Sequence, residues 1–277
     1  MLLGYWPTRE KLTPQGVNQA LQRYTDGYRT LAEQGAEAVI TPEGALPQLW
    51  NPSSPQIAAI LQTVGRVGVP LWLGTLAPVP GSGQAQYTQS LLEIRPDGQY
   101  HGRYDKVQLV PLGEYIPFEA VLGRLINRLS PLDSYLVPGQ PGQAFETSVG
   151  QSIVGICYES AYSRLFRHQA QAGGEFIVTA SNNDPYPVWM MQQHHGLDVM
   201  RSVESDRWAL RVTNTGLSGL VDNHGRTLWL GEPQTTLTYQ ASLERRQTLT
   251  PYTRWGDWLT PLLLGATLVL GWRQSHQ

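Results

Sequence analysis

Cysteine is nearly absent: Cys157 is the only one in 277 residues. One thiol excludes an internal disulfide framework and leaves the redox compartment unread. Charge is sparse as well. Charged residues make up 15% of the chain and the net charge is −2, which excludes the basic electrostatic footprint of a nucleic-acid binder. The six histidines show no metal-ligand spacing, and the adjacent pair His194-His195 lacks a third ligand, so no metal is expected. His168 and His224 give the thiol no partner in sequence, which weakens a Cys–His protease reading. Neither a glycine-rich phosphate loop nor a serine nucleophile elbow is present, so no cofactor is expected. Residues 2–6 are too short for a signal-peptide apolar region and lack a basic start.

What is present is a globular composition, 41% hydrophobic with nine tryptophans and thirteen tyrosines. The chain reads as strand and helix in alternation, the pattern of a sheet covered by helices. A strand is expected over 2–6, then a helix opened by Thr13-Pro14. Val17, Ala20, Leu21, Tyr24, Tyr28 and Leu31 recur there at helical spacing. A short buried strand at 38–40 breaks at Thr41-Pro42-Glu43-Gly44. Next come a helix over 53–65 ended by Gly65 and strands over 69–75, 87–94 and 100–104, with a Pro96-Asp97-Gly98 turn. A helix over 118–130 leads into an irregular connection over 131–144. The later elements are a helix to about 172, strands at 176–179, 208–213, 218–222, 227–230 and 235–239, and a helix at 189–206. With no linker and no repeat, the chain reads as one α/β domain followed by a different tail.

Cys157 stands where a buried strand runs out. Ile153, Val154 and Ile156 form a β-branched apolar run, and polar Tyr158, Glu159 and Ser160 follow at once. Ser160 is expected to cap the next helix, and backbone N–H groups at that start are expected to lower the thiol pKa. Taken alone, a lone cysteine reads first as a small buried hydrophobe. The other chemical candidates are weak singly. Glu43 is a carboxylate just past a strand, or an ordinary loop acid. Lys106 and Glu114 are groups able to stabilise charge, or a solvated ion pair worth ~0–1 kcal/mol. The tail from Trp258 to Trp272 has no charged residue and is apolar on all sides. Its fifteen residues rise ~22 Å against a ~30 Å hydrocarbon core, with Trp255, Trp258, Trp272 and Arg273 as brackets. Residues 258–272 are therefore a candidate transmembrane helix, the competing reading being a helix packed on the domain.

In combination and in order, the Pro-Glu after a strand, Tyr104-Asp105-Lys106 with Leu109-Val110-Pro111 and Gly113-Glu114 behind it, and Gly155-Ile156-Cys157-Tyr158-Glu159 form a specific set. The chain resembles the nitrilase, or carbon–nitrogen hydrolase, superfamily. More narrowly it is similar to the apolipoprotein N-acyltransferase family. The narrowing rests on the run from Lys106 through Gly113-Glu114-Tyr115-Ile116-Pro117, on Cys157-Tyr158-Glu159, and on Arg211-Val212-Thr213-Asn214-Thr215-Gly216 with Ser218. That resemblance implies an α/β fold, a four-layer α-β-β-α sandwich with a closing apolar helix. It divides the chain into a catalytic domain over 1–245 and a C-terminal segment over 246–277.

The resemblance also implies roles. Cys157 is expected as nucleophile forming a thioester, Glu43 as general base, and Lys106 as oxyanion stabiliser together with the Tyr158 N–H. Glu114 and Glu159 are expected to support the site, and Tyr158 to help gate it. The implied reaction moves a fatty acyl chain from a phospholipid to the N-terminal amine of a diacylglyceryl-cysteine apolipoprotein. The implied location is the inner membrane, periplasmic side. Members carry membrane helices ahead of this domain, where this sequence starts at Met1. They also carry a Trp-Phe pair in the loop where this chain has Tyr186 and Trp189, the candidate lipid contacts here. Two other functions remain open from sequence: a soluble amidase of the same superfamily, and a catalytically silent lipid- or partner-binding module.

Overall fold

The structure, a computed structural model, describes residues 2–3, 13–79, 81, 86–111, 113–115 and 136–274. The expected helix over 118–130 and most of the expected strand over 2–6 lie outside those residues. Alternation of apolar side chains along the strands builds two sheets that share one core. A five-stranded sheet contains β2 (Val39–Ile40), β4 (Leu71–Pro78), β5 (Tyr87–Ile94) and β6 (Tyr100–Asp105) in that order, with β3 (Leu46–Leu49) also paired to β4. A six-stranded sheet has β12 (Thr227–Leu230) at one edge and β7 (Phe145–Thr147) at the other. Between them run β11 (Gly219–Val221), β10 (Ala209–Asn214), β9 (Phe176–Asn182) and β8 (Gly150–Ile156). Strands β8, β9 and β10 are mutually parallel. A separate pair joins β1 (Leu2–Leu3) to β13 (Leu237–Thr238).

The period of two decides which residue faces which layer. Trp72 and Leu91 from one sheet meet Val154, Ile156, Val178 and Val212 from the other in the central core. Their strand neighbours point outward. Leu71, Leu73 and Leu92 pack under two helices, α1 (Pro14–Glu33) and α2 (Pro55–Val67), through Tyr28, Leu31, Ile57 and Val64. On the other outer face, Ile153 and Ile177 pack against Phe166 and Ala170 of α3 (Ser163–Gln171), with Val199 of α4 (Val188–Ser205) alongside. Full burial of such side chains contributes roughly 1.5–3 kcal/mol each, so these faces fix the strand registers and hence where each strand ends.

Capping sets the helix limits. Thr13 Oγ1 accepts the N–H of Gly16 at 3.0 Å, and Ser54 Oγ accepts that of Ile57 at 3.3 Å, at the starts of α1 and α2. The expected stop of α2 at Gly65 is corrected: the helix ends at Gly68, whose φ of 82° is the left-handed cap conformation. Gly65 has a different reason to be glycine, since a Cβ there would lie 3.3 Å from the Pro96 carbonyl oxygen.

The tail is tied to the outer helical layer. Arg207 donates to the Thr248 carbonyl at 2.7 Å, and Arg167 to those of Tyr252 and Thr253 at 3.2 and 3.0 Å, across α5 (Pro251–Trp255). Beyond it runs α6 (Leu259–Gln274), none of whose residues is buried. The expectation of a transmembrane helix over 258–272 is corrected. Sixteen residues rise only about 24 Å, and no helix among the described residues is long and apolar enough to cross a membrane.

Candidate active site

Four strand ends open at one edge of the two sheets. Glu43 follows β2, Lys106 follows β6, Cys157 follows β8, and Asn182 closes β9. Glu43 reaches the site because β4 carries a glycine beneath it. A Cβ at Gly74 would lie 2.1 Å from the Pro42 carbonyl oxygen, so only glycine lets the Pro42-Glu43 backbone cross so closely.

Lys106 is fully buried, and its ammonium lies 2.9 Å from Glu43 Oε1 and 2.5 Å from Glu114 Oε1. Burial favours the neutral amine, but Glu43, Cys157 and Glu114 outweigh it, and the Lys106 pKa rises above its ordinary value. The cation is thus held between two carboxylates, each steadied at its other oxygen. Glu43 Oε2 accepts the Asn182 N–H at 2.9 Å, and Glu114 Oε2 accepts the Val110 N–H at 2.8 Å. Burial, followed by the charge of Glu43, raises the Glu114 pKa against the lowering effect of Lys106.

Cys157 adopts a φ of +55°, a left-handed conformation that a side-chain-bearing residue enters at a cost of roughly 1–2 kcal/mol. The turn takes the chain from β8 into a 3₁₀ helix, Cys157–Ala161. The thiol is buried and its Sγ donates to the Asn182 carbonyl at 3.7 Å. The expectation of a lowered thiol pKa is corrected. Burial, reinforced by Glu43, pushes it up to about 12, against the pull of Lys106. At rest this is a neutral thiol that needs a base. The expected cap is corrected too. Ser160 Oγ donates to Asp198 Oδ1 at 2.6 Å, and α3 begins after Tyr162 without a side-chain cap.

Glu159 is fully buried and accepts four donors. Its Oε2 takes the Ile156 N–H at 2.7 Å and the Tyr104 hydroxyl at 3.1 Å. Its Oε1 takes the N–H groups of Val107 and Gln108 at 2.6 and 3.0 Å. One carboxylate therefore bolts the cysteine turn to the residues just after Lys106. Tyr158 packs edge-on against Tyr162 at 5.3 Å between ring centroids. Tyr186 is half-buried, lies edge-on to His194 at 5.6 Å, and sits close enough to Cys157 for that thiol to be the second cause, after burial, of its raised pKa. Trp189 is 56% exposed. Glu43, Lys106, Glu114 and Cys157 are brought together, Tyr186 borders them, and Trp189 lies on open surface.

A second buried cluster lies behind the thiol. Asp198 and Arg211 pair at 2.5 Å, and Arg211 also donates to Asn183 Oδ1 at 3.1 Å. The sequence signals this cluster only through Arg211, which opens the Arg211-Val212-Thr213-Asn214-Thr215-Gly216 motif. No group of histidine, cysteine and carboxylates able to hold a metal ion occurs among the described residues.

Comparison with known proteins agrees with this architecture. The carbon-nitrogen hydrolase family matches residues 12–250. Similar curated proteins include the apolipoprotein N-acyltransferases of Nostoc sp., 51% identical over 97% of this chain and 52% of the relative, and of Thermosynechococcus vestitus, 50% identical over 96% and 51%. A third, from Synechocystis sp., is 48% identical over 95% of this chain and 50% of the relative. The chain spans about half the length of these curated relatives. Among solved structures, the C. elegans NitFhit protein superposes with a TM-score of 0.63 at 17% identity, covering 78% of this chain and 55% of that one. At that identity the likeness speaks for the fold alone.

Proposed function

The chain belongs to the carbon–nitrogen hydrolase family, and from that premise we propose that it is the catalytic part of an apolipoprotein N-acyltransferase. The observation that carries the reading is the buried Lys106 ammonium, held between Glu43 and Glu114 and electrostatically coupled to the Cys157 thiol. A neutral, raised-pKa thiol beside a carboxylate and a fixed cation is suited to nucleophilic acyl transfer with proton removal by a base.

In the first half-reaction Glu43 takes the Cys157 proton as the sulfur attacks the ester carbonyl of a phospholipid. The tetrahedral oxyanion is stabilised by the Lys106 ammonium and the Tyr158 N–H. Collapse breaks the ester C–O bond, and the proton on Glu43 goes to the departing lysophospholipid alkoxide, leaving a thioester on Cys157. In the second half-reaction the N-terminal amine of a diacylglyceryl-cysteine apolipoprotein attacks the thioester and gives its proton to Glu43. Collapse forms the amide bond and releases the cysteine sulfur, which takes the proton back. Glu114 holds Lys106 in place, Glu159 holds the Cys157 turn, and Tyr158 helps gate entry. Tyr186 and Trp189 form the lipid-facing border.

Residues 1–245 act as the catalytic domain and 246–277 as a C-terminal segment whose exposed apolar helix meets lipid. Trp255, Trp258 and Trp272, 61%, 44% and 62% exposed, favour that contact. The enzyme works at the inner membrane, on its periplasmic side.

The test is mass spectrometry of the full chain after incubation with phosphatidylethanolamine vesicles. The expected product carries one fatty acyl group on Cys157, labile to hydroxylamine, which leaves as an amide when a diacylglyceryl-cysteine peptide is added. Acyl groups on other residues only would overturn the mechanism. A thioester discharged by water in the presence of the peptide would favour hydrolysis over transfer.

A further inference from the structure

We infer that the buried Asp198–Arg211 pair is a positioning device for the Cys157 thiol, gripping the two chain segments that meet at the sulfur. The inference rests on the reading of Cys157 as nucleophile. Asp198 is fully buried and Arg211 nearly so, and their side chains meet at 2.5 Å. Taking two charges out of water is costly, and such a pair adds little to stability compared with apolar side chains of similar volume. Its value lies in what the two groups hold with their remaining hydrogen bonds.

Besides Thr179, which donates to Asp198 Oδ2 at 3.1 Å, and His194 Nδ1, 3.5 Å from Arg211, two of those bonds lead toward the sulfur. Asp198 Oδ1 accepts the Ser160 hydroxyl at 2.6 Å, fixing the 3₁₀ turn three residues past the thiol. Arg211 donates to Asn183 Oδ1 at 3.1 Å. Asn183 follows Asn182, whose carbonyl receives the thiol and whose N–H donates to Glu43. The two arms therefore set the sulfur relative to Asn182, the residue that also touches the base. Gly216 makes the second arm possible, because a Cβ there would lie 2.4 Å from Asn183 Oδ1. The Arg211 guanidinium also opposes the burial that raises the thiol pKa. Neither charge touches the reacting atoms in this arrangement. Both act through Ser160 and Asn183.

Two single variants cut one arm each without removing either charge: Ser160→Ala and Asn183→Ala. The readout is single-turnover acylation of Cys157 in the full chain by a p-nitrophenyl acyl ester, followed by mass at the lone cysteine and by release of nitrophenolate, with thermal unfolding in parallel. Each variant is expected to acylate about 10-fold more slowly at saturating ester with an unchanged half-saturating concentration, as loss of orientation does. The double variant is expected to lose less than the product of the two single losses, because both arms serve one geometry. Native rates in single variants that unfold cooperatively would overturn the inference, and so would losses that multiply. Absence of acylation in the native chain would overturn the proposed function and this inference with it. Native acylation with unaffected variants would overturn this inference alone.

Discussion

Glu159 accepts the Val107 N–H at 2.6 Å, so a carboxylate two residues past the thiol holds the residue next to the ammonium. The contact spans 52 positions of sequence and joins the two sheets at their active edge. Because the same carboxylate takes three further donors, it behaves as a bolt rather than as an acid or base. Glu159→Gln is expected to set an amide NH₂ against the two donors that share one carboxylate oxygen. Acylation of Cys157 should fall by about 10-fold or more and stability by roughly 2 kcal/mol, measured by denaturant unfolding. Native values for both would remove the bolt.

Lys106→Met is expected to lower the acylation rate by ~10²-fold or more, as the loss of an oxyanion donor does. It also leaves Glu43 and Glu114 facing each other without their cation, a loss of about 3–5 kcal/mol. Two neighbouring carboxylates share their site better when one is protonated. The variant should therefore regain stability as pH falls, and urea unfolding at pH 5 and pH 8 checks the direction.

Cys157 gives a pH signature of its own. The folded chain keeps a proton up to about pH 12 that an unfolded thiol releases near 9.0. The associated stability is complete below pH 9 and is lost as pH rises toward 12. Cys157→Ala removes that loss, so the variant should gain on the native chain across this interval by up to several kcal/mol. Alkylation of the native thiol by iodoacetamide should be slow at pH 8, where on the order of one thiol in ten thousand is ionised. An alkylation midpoint near pH 8 would contradict a buried neutral thiol.

The left-handed backbone at Cys157 separates two inactive variants. Neither Cys157→Ala nor Cys157→Gly should form a thioester. Of the two, Cys157→Gly should be at least as stable, because relief of a strain of roughly 1–2 kcal/mol offsets the added freedom of glycine in the unfolded chain. Thermal unfolding ranks them, and an alanine variant well above the glycine variant would argue against a strained turn.

Removal of residues 259–277 tests the tail. No residue of Leu259–Gln274 is buried, so the unfolding midpoint should move by less than about 2 °C. Partitioning into a detergent phase should drop sharply, since the large exposed apolar surface goes with the helix. A marked fall in the midpoint would mean that the helix packs on the domain.

Local pattern alone determined most of the elements. The β-branched run Ile153 to Ile156, the short Val39-Ile40 strand and the helical spacing of Tyr24, Tyr28 and Leu31 announce themselves within a few residues, because burial of one face imposes its period on the sequence. Sequence also placed Glu43, Lys106 and Cys157 just past strand ends, and the family set them together as candidates. Helix limits were less legible where glycine had two uses, as at Gly65 and Gly68. The tertiary structure alone decided that Lys106 lies between two carboxylates, that burial raises the thiol pKa, and that Ser160 serves Asp198 instead of capping α3. Each of these depends on the burial of charge and on partners brought near only when two sheets close on one core. No period in the chain records such encounters, because most of the partners, Glu114 excepted, are separated by tens of residues and their energies are set by the low-polarity space they come to share.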